Sequence, residues 1–205
     1  VWVLYNKNKI GEIQSLEALA KHKVGLGPTQ SGSYRIAKKI FEMMGIDVEG
    51  NSHFVPNTML ANQAKLKSGE IDVLVLVSTH WDPITKDLLT TPNIAVFDFK
   101  NALAFARQNN SFVTLALPAD SLDVLKHLPH KDMTLLATTT SLVVKRSMHP
   151  DLQLAILMAA KDANRISPNL FFAKRNEFPT YRDPSIPISP VAEHFYDYGP
   201  PHAMR

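Results

Sequence analysis

The segment Gly27-Pro28-Thr29-Gln30-Ser31-Gly32-Ser33-Tyr34 gathers residue types suited to holding an anion. Ser31 and Ser33 offer hydroxyls, Thr29 and Gln30 add polar side chains, and Gly32 lets a ligand approach the backbone closely. A helix starting here would present unpaired N–H groups at the positive end of its dipole. The chemistry is capture of a carboxylate, sulfonate or phosphate. The dipole supplies only ~0.3–1 kcal/mol, so direct hydrogen bonds must carry most of the affinity. No Gly-Lys-Ser/Thr follows, which excludes a Walker loop, and the Gly-x-Gly-x-x-Gly spacing of dinucleotide sites is absent. The same residues also read as an ordinary helix cap, because Ser and Gly are favoured there without any ligand.

A second group is Ser78-Thr79-His80-Trp81-Asp82-Pro83, just past an apolar run. Thr79 and His80 are candidates for hydrogen bonds to a ligand and Trp81 for stacking on it. The alternative is that Trp81 packs on a neighbouring loop, and Asp82 reads best as a helix cap. Thr138-Thr139-Thr140-Ser141 offers further hydroxyls, with Thr139 the candidate contact, although such runs are commonly plain strand formers. His127 and His130 flank a proline and lack a completing carboxylate pattern, so no metal site is assigned. There is no Gly-x-Ser-x-Gly elbow and no Ser/His/Asp arrangement. With no Cys, thiolate metal sites, disulfides and a cysteine nucleophile are excluded. No catalytic residue, cofactor or metal is expected, and the chain is read as a binder, not an enzyme.

Regularly alternating elements must position these loops. Lys23 to Gly27 reads as a short strand, followed by a helix with apolar positions Ile36, Ala37, Ile40, Phe41 and Met44 and a stop at Gly45. Ser52 to Val55 reads as a strand and Thr58 to Ser68 as a helix closed by Gly69. Ile71 to Val77 is almost continuously apolar and β-branched, as a strand covered on both faces is. A helix from Asp82-Pro83 to Leu89, a strand Ile94 to Phe97 and a helix Ala102 to Gln108 complete the series. This βαβαβαβα order predicts a largely parallel sheet with helices on both faces, with both polar loops at its carboxyl edge, where ligands bind.

Beyond Ser111 the pattern changes. Phe112 to Leu117 reads as a strand, Asp123 to Leu128 as a turn or short helix, and Met133 to Lys145 as a long extended stretch. A helix over Asp151 to Asn164 is apolar nearly all round and needs a cover. Phe178 to Pro190, with four prolines, predicts chain wrapping a surface, and a last helix runs from Pro190, capped by Ser189, to Gly199. The expected organisation is a crossover strand and linker helix over 1–21, an α/β lobe over 22–110, and return strands, helices and a Pro-rich tail over 111–205. Only the returning part of the other lobe is expected, so apolar surface meant for further chain is expected too.

The 205 residues suit one large or two small domains. A formal charge of +3, with basic residues scattered and no aromatic interleaving, does not form the stripe that nucleic-acid binding requires. No apolar run reaches the ~18 residues of a membrane helix.

Taken in order, Trp2-Val3-Leu4-Tyr5, Lys23-Val24-Gly25-Leu26-Gly27 through Ser31-Gly32-Ser33, and Leu66-Lys67-Ser68-Gly69-Glu70-Ile71-Asp72 resemble TAXI-type solute receptors of TRAP transporters. The resemblance continues through Leu135-Leu136-Ala137-Thr138, Leu142-Val143-Val144-Lys145, His149-Pro150-Asp151-Leu152, Ile188 to Tyr196 and Gly199-Pro200-Pro201. It implies a type II periplasmic-binding-protein-like α/β fold with one complete doubly wound lobe and the returning part of the other. It also implies a non-enzymatic periplasmic receptor that closes two lobes over a small organic anion, partnered by membrane permease subunits. The Gly27–Tyr34 segment matches the family's anion loop. The ending resembles a subgroup in which a membrane-anchoring segment follows the binding domain. The alternative function is a ligand-sensing domain of the same fold in a signalling or regulatory protein. Enzymes on this scaffold, such as thiamine-pyrimidine synthases, use a cysteine-rich segment that has no counterpart here.

Overall fold

The computed structural model describes residues 1–166, 180 and 185–200. In chain order the elements are β1 (Trp2–Asn6), α1 (Lys7–Ile10), α2 (Leu16–Leu19), β2 (Val24–Leu26), α3 (Gly32–Glu42), β3 (Phe54–Pro56) and α4 (Met59–Ser68). Then come β4 (Val73–Leu76), α5 (Pro83–Leu89), β5 (Ile94–Val96), α6 (Ala102–Gln108), β6 (Phe112–Leu117), β7 (Met133–Thr138), α7 (Pro150–Ile166) and α8 (Pro190–Tyr198). The chain divides into two compact units, Val1–Thr138 and Thr139–Arg205.

The first unit is a mixed α/β structure around a five-stranded sheet of order β3-β2-β4-β1-β5. β2 pairs in parallel with β3 and β4, while β1 pairs antiparallel with both β4 and β5. Four strands therefore run one way and β1 runs against them, so the sheet is mostly parallel, as the βα alternation predicts. Alternating side chains cover both faces. Val3, Tyr5, Val24, Leu26, Val73 and Val75 pack with Leu16, Leu19 and the Ala37, Ile40 and Phe41 stripe of α3. Trp2, Leu4, Leu74 and Leu76 point the other way and are fully buried, as are Leu66 of α4 and Leu88 of α5. At ~1.5–3 kcal/mol for each large apolar side chain buried, these two layers are the main source of the unit's stability.

Local chemistry sets the helix starts. The side chains of Ser31, Thr58 and Asp82 accept hydrogen bonds from the N–H groups of Tyr34, Ala61 and Thr85. Gly69 closes α4 in the left-handed region at φ 77°, which a residue with a Cβ adopts only at a cost.

β6 and β7 form a separate antiparallel pair, with Phe112 opposite Thr138 and Leu117 opposite Met133. The extended stretch expected to reach Lys145 ends at Thr138, because its partner strand starts at Phe112 and offers nothing further to pair with. Leu142 and Val143 beyond it are exposed. Between the two strands, Asp123 to Leu128 is a turn closed by a single bridge, not a helix, with Leu125 93% exposed.

In the second unit, α8 starts at Pro190, with Ser189 Oγ accepting from the Ala192 N–H at 3.0 Å, and stops at Gly199. Leu154 of α7 and Val191, His194 and Phe195 of α8 line an apolar groove of about 280 Å³. Within the described part of α7 only Gln153 and Leu157 are buried, so the all-round cover expected for this helix is not seen there. Residues 178, 179 and 181–184 of the Pro-rich stretch lie outside the described residues.

Candidate functional site

β2 and β4 are neighbours in parallel, so the chain leaving each emerges side by side at one edge of the sheet. Gly27–Ser31 follows β2 and Val77–Asp82 follows β4. β3 joins the same edge, where the Asn57 N–H donates to Leu26 O at 3.0 Å. β1 runs backwards, with Trp2 opposite Leu76, so its first residues also lie at this edge.

The first loop turns tightly. The Ser31 N–H donates to Pro28 O at 2.7 Å, leaving Thr29 and Gln30 exposed at the tip. Ser31 Oγ accepts from the Tyr34 N–H at 3.1 Å, and Ser31 O accepts from Arg35. Gly32 and Ser33 are thereby left as the open N–H donors of the first turn of α3. Ser31 Oγ is an acceptor in this arrangement, so its own proton is free to be donated. Gly27 is buried beneath the turn; a Cβ there would lie 2.6 Å from Ser31 Oγ and 3.1 Å from Ser33 Cβ. Gly32 is exposed, and a Cβ there would meet nothing within 4 Å. Tyr34 turns its side chain into the core.

The second loop is tied to the first. Ser33 Oγ accepts from the Val77 N–H at 3.1 Å, and the Trp2 Nε1–H donates to Ser78 O at 3.0 Å. Thr79 and Trp81 are exposed, and the rings of His80 and Trp81 meet edge-on with centroids 4.4 Å apart. Burial pulls the His80 pKa below its ordinary value, which favours a neutral ring. Asp82 Oδ1 accepts from both the N–H and the hydroxyl of Thr85, so its carboxylate serves as the cap of α5.

The loop of Gly27, Thr29, Gln30, Ser31, Gly32 and Ser33 and the loop of Thr79, His80 and Trp81 thus leave the sheet at one edge, while the Tyr34 side chain, expected as a ligand contact, is taken up by the core. Thr139 belongs to the other unit, one residue past the end of β7, and is exposed. His127, singled out with His130, pairs instead with Asp120, its Nδ1 3.2 Å from Oδ1.

Two supporting residues escaped the sequence reading. Asn62 of α4 is fully buried and donates from Nδ2 to Leu26 O at 2.7 Å, clamping the exit of β2 directly before Gly27. Its signal was a polar residue four positions before Leu66 on the buried side of a helix. Trp2 is the other, and nothing local to Trp2 announces its bond to Ser78.

No family model matches the chain, and no curated protein matches it. Among solved structures, the periplasmic aliphatic sulphonate binding protein of Escherichia coli is similar over 83% of this chain, at 16% identity and a TM-score of 0.40. The chain spans 66% of that protein's length. Among the described residues, no helix is long and apolar enough to cross a membrane.

Proposed function

We propose that the protein is a solute-binding receptor that captures a small organic anion of the carboxylate type between two lobes. Its partner in this reading is a TRAP-type transporter, and its compartment is extracytoplasmic. One observation carries the binding role. The Gly32 and Ser33 N–H groups and the Ser31 hydroxyl proton are unspent among the described residues, in a loop at the carboxyl edge of the sheet whose neighbouring loop carries the exposed Thr79 and Trp81. Three neutral donors on a helix start suit a carboxylate or sulfonate, and hydrogen bonds to a charged group contribute about 1.5–3 kcal/mol each. Gly32 adds room for the anion against the backbone. The transporter partnership and the carboxylate class rest on the resemblance of the ordered motifs from Trp2 to Pro201. Gln30 and Thr29 are assigned as further ligand contacts in this reading.

Native mass spectrometry of the purified protein tests it. A co-purified small anion, seen as additional mass lost on denaturation, is expected, together with its depletion in Ser31→Ala by about tenfold in affinity. Recovery of the same ligand at undiminished affinity in Ser31→Ala sinks the site assignment.

A further inference from the structure

Ser33 looks like a ligand contact in the sequence, yet its oxygen is already committed. It accepts the Val77 N–H at 3.1 Å, across a separation of 44 residues. Val77 is the first residue past β4, and its N–H has left the strand ladder there. Without Ser33 that donor would have to find water or another partner, since a half-buried amide left unpaired is costly. One residue further on, Ser78 O accepts the indole N–H of Trp2 at 3.0 Å. Trp2 itself is 1% exposed and anchored in β1, so it does not move with the loop. The segment that carries Thr79, His80 and Trp81 is therefore gripped at its root on two sides, by a hydroxyl from the start of α3 and an indole from β1.

We propose that Ser33 is a positioning residue, which locks the Val77–Trp81 segment to the start of α3 so that the two loops form one preformed surface. This rests on the binding reading only for its purpose. The lock itself is a property of the unliganded protein. Ser33 then contributes to binding through its backbone N–H and through the placement of His80 and Trp81, while its side chain faces Val77. Gly27 is part of the same arrangement: a Cβ there would press on Ser31 Oγ and Ser33 Cβ and push the hydroxyl away from Val77.

The chain has two Trp residues, Trp2 and Trp81, so 5-fluorotryptophan labelling gives two separable fluorine signals, one buried and one exposed. Fluorine spectra and amide exchange are compared for the wild-type protein, Ser33→Ala and Ser33→Thr, with no ligand added. In Ser33→Ala the Trp81 signal is expected to shift and broaden, and the Val77 amide to exchange about tenfold faster, while the Val75 amide in β4 stays protected. Ser33→Thr keeps the hydroxyl and is expected to restore both readouts. An unchanged Trp81 signal and Val77 amide in Ser33→Ala overturns the proposal, as does a Thr variant that behaves like the Ala one. If Val75 deprotects together with Val77 in both variants, Ser33 supports the whole sheet and the specific lock is likewise overturned. Titration of each protein with acetate and methanesulfonate keeps the two readings apart. A wild-type protein that ignores both anions counts against the binding reading and leaves the lock standing on the ligand-free data.

Discussion

The two edges of the five-stranded sheet are held by different chemistry. At the amino edge the work is done by charge. Asp72, at the entrance of β4, accepts from the Lys23 N–H at 3.0 Å through Oδ2 and lies 2.5 Å from Lys9 Nζ through Oδ1. At the carboxyl edge the ties are neutral: Asn62 to Leu26 O, Ser33 to the Val77 N–H, and Trp2 to Ser78 O. The reversed strand β1 explains why both edges draw on the amino-terminal segment. Its start reaches the carboxyl edge with Trp2, and the helix after its end delivers Lys9 to the amino edge. A charged staple neutralises itself and is finished with. Neutral ties brace a loop while leaving N–H groups and hydroxyl protons unspent, which suits the anion site proposed for this edge.

The largest expected effect comes from cutting the neutral clamp at the root of the site. Asn62→Leu removes the donor to Leu26 O and forces a branched side chain against Gly25, where a Cβ would already sit 3.2 Å from Asn62 Oδ1. Leu26 O keeps its bond from Asn57, so the loss is the buried bond to Leu26 O, the long 3.5 Å contact to Asn57 O and overpacking, about 2–3 kcal/mol. Urea denaturation measures it. A loss below about 0.5 kcal/mol would make Asn62 a passenger, and the carboxyl edge would then need another brace.

At the opposite edge a smaller effect with a distinct pH signature is expected. Burial opposes ionisation of Asp72, but the Lys9 ammonium and the Lys23 N–H outweigh it and hold the pKa below the ordinary carboxylate value. A depressed folded-state pKa means that the unfolded chain takes up the proton first as the pH falls. The stabilisation is therefore complete above the ordinary carboxylate range and is lost as the pH drops through the folded-state value. Asp72→Asn retains an acceptor for Lys23 and removes only the charge. It is expected to cost about 1 kcal/mol at neutral pH, since Lys9 is half exposed and screened. The deficit should shrink towards zero in strong acid. A deficit that does not change with pH would show that the amino edge, too, is held by packing and neutral bonds.

Much of this arrangement was legible in the sequence, and the exceptions share a cause. The α3 stripe, the caps at Ser31, Asp82 and Ser189, and the stop at Gly69 are local signals, and each element stands where its signal falls, with Thr58 the cap of α4 in place of its first residue. The direction of β1 is set by pairing with β4, some seventy residues away, and no property of Trp2-Val3-Leu4-Tyr5 encodes it. Thr139 read as strand because threonines favour β structure, but where a ladder ends depends on the length of its partner. For the candidate site, the residue types at Ser31 and Ser33 were visible while the division of labour was not. The Ser31 cap on Tyr34 is local, but that the Ser33 oxygen is spent on Val77 is decided only when β2 and β4 become neighbours.

The smallest effect, that of Gly32→Ala, sharpens the comparison most, because set beside Gly27→Ala it separates two glycines in one loop. A Cβ at Gly27 would press on Ser31 Oγ at 2.6 Å, so Gly27→Ala is expected to disturb both the cap and the lock, at about 1–2 kcal/mol of stability. Gly32 is the first residue of α3, with an ordinary φ and open space where a Cβ would stand. Glycine there costs backbone entropy with no packing in return, so Gly32→Ala is expected to raise stability by about 0.4–1 kcal/mol. If an anion sits against the Gly32 N–H, the same methyl group stands in its way, and affinity falls while stability rises. Thermal unfolding and anion titration on the one variant read both quantities. Opposite signs mark Gly32 as a position kept open for a ligand, whereas a stabler protein with unchanged affinity would leave it as a helix start and nothing more.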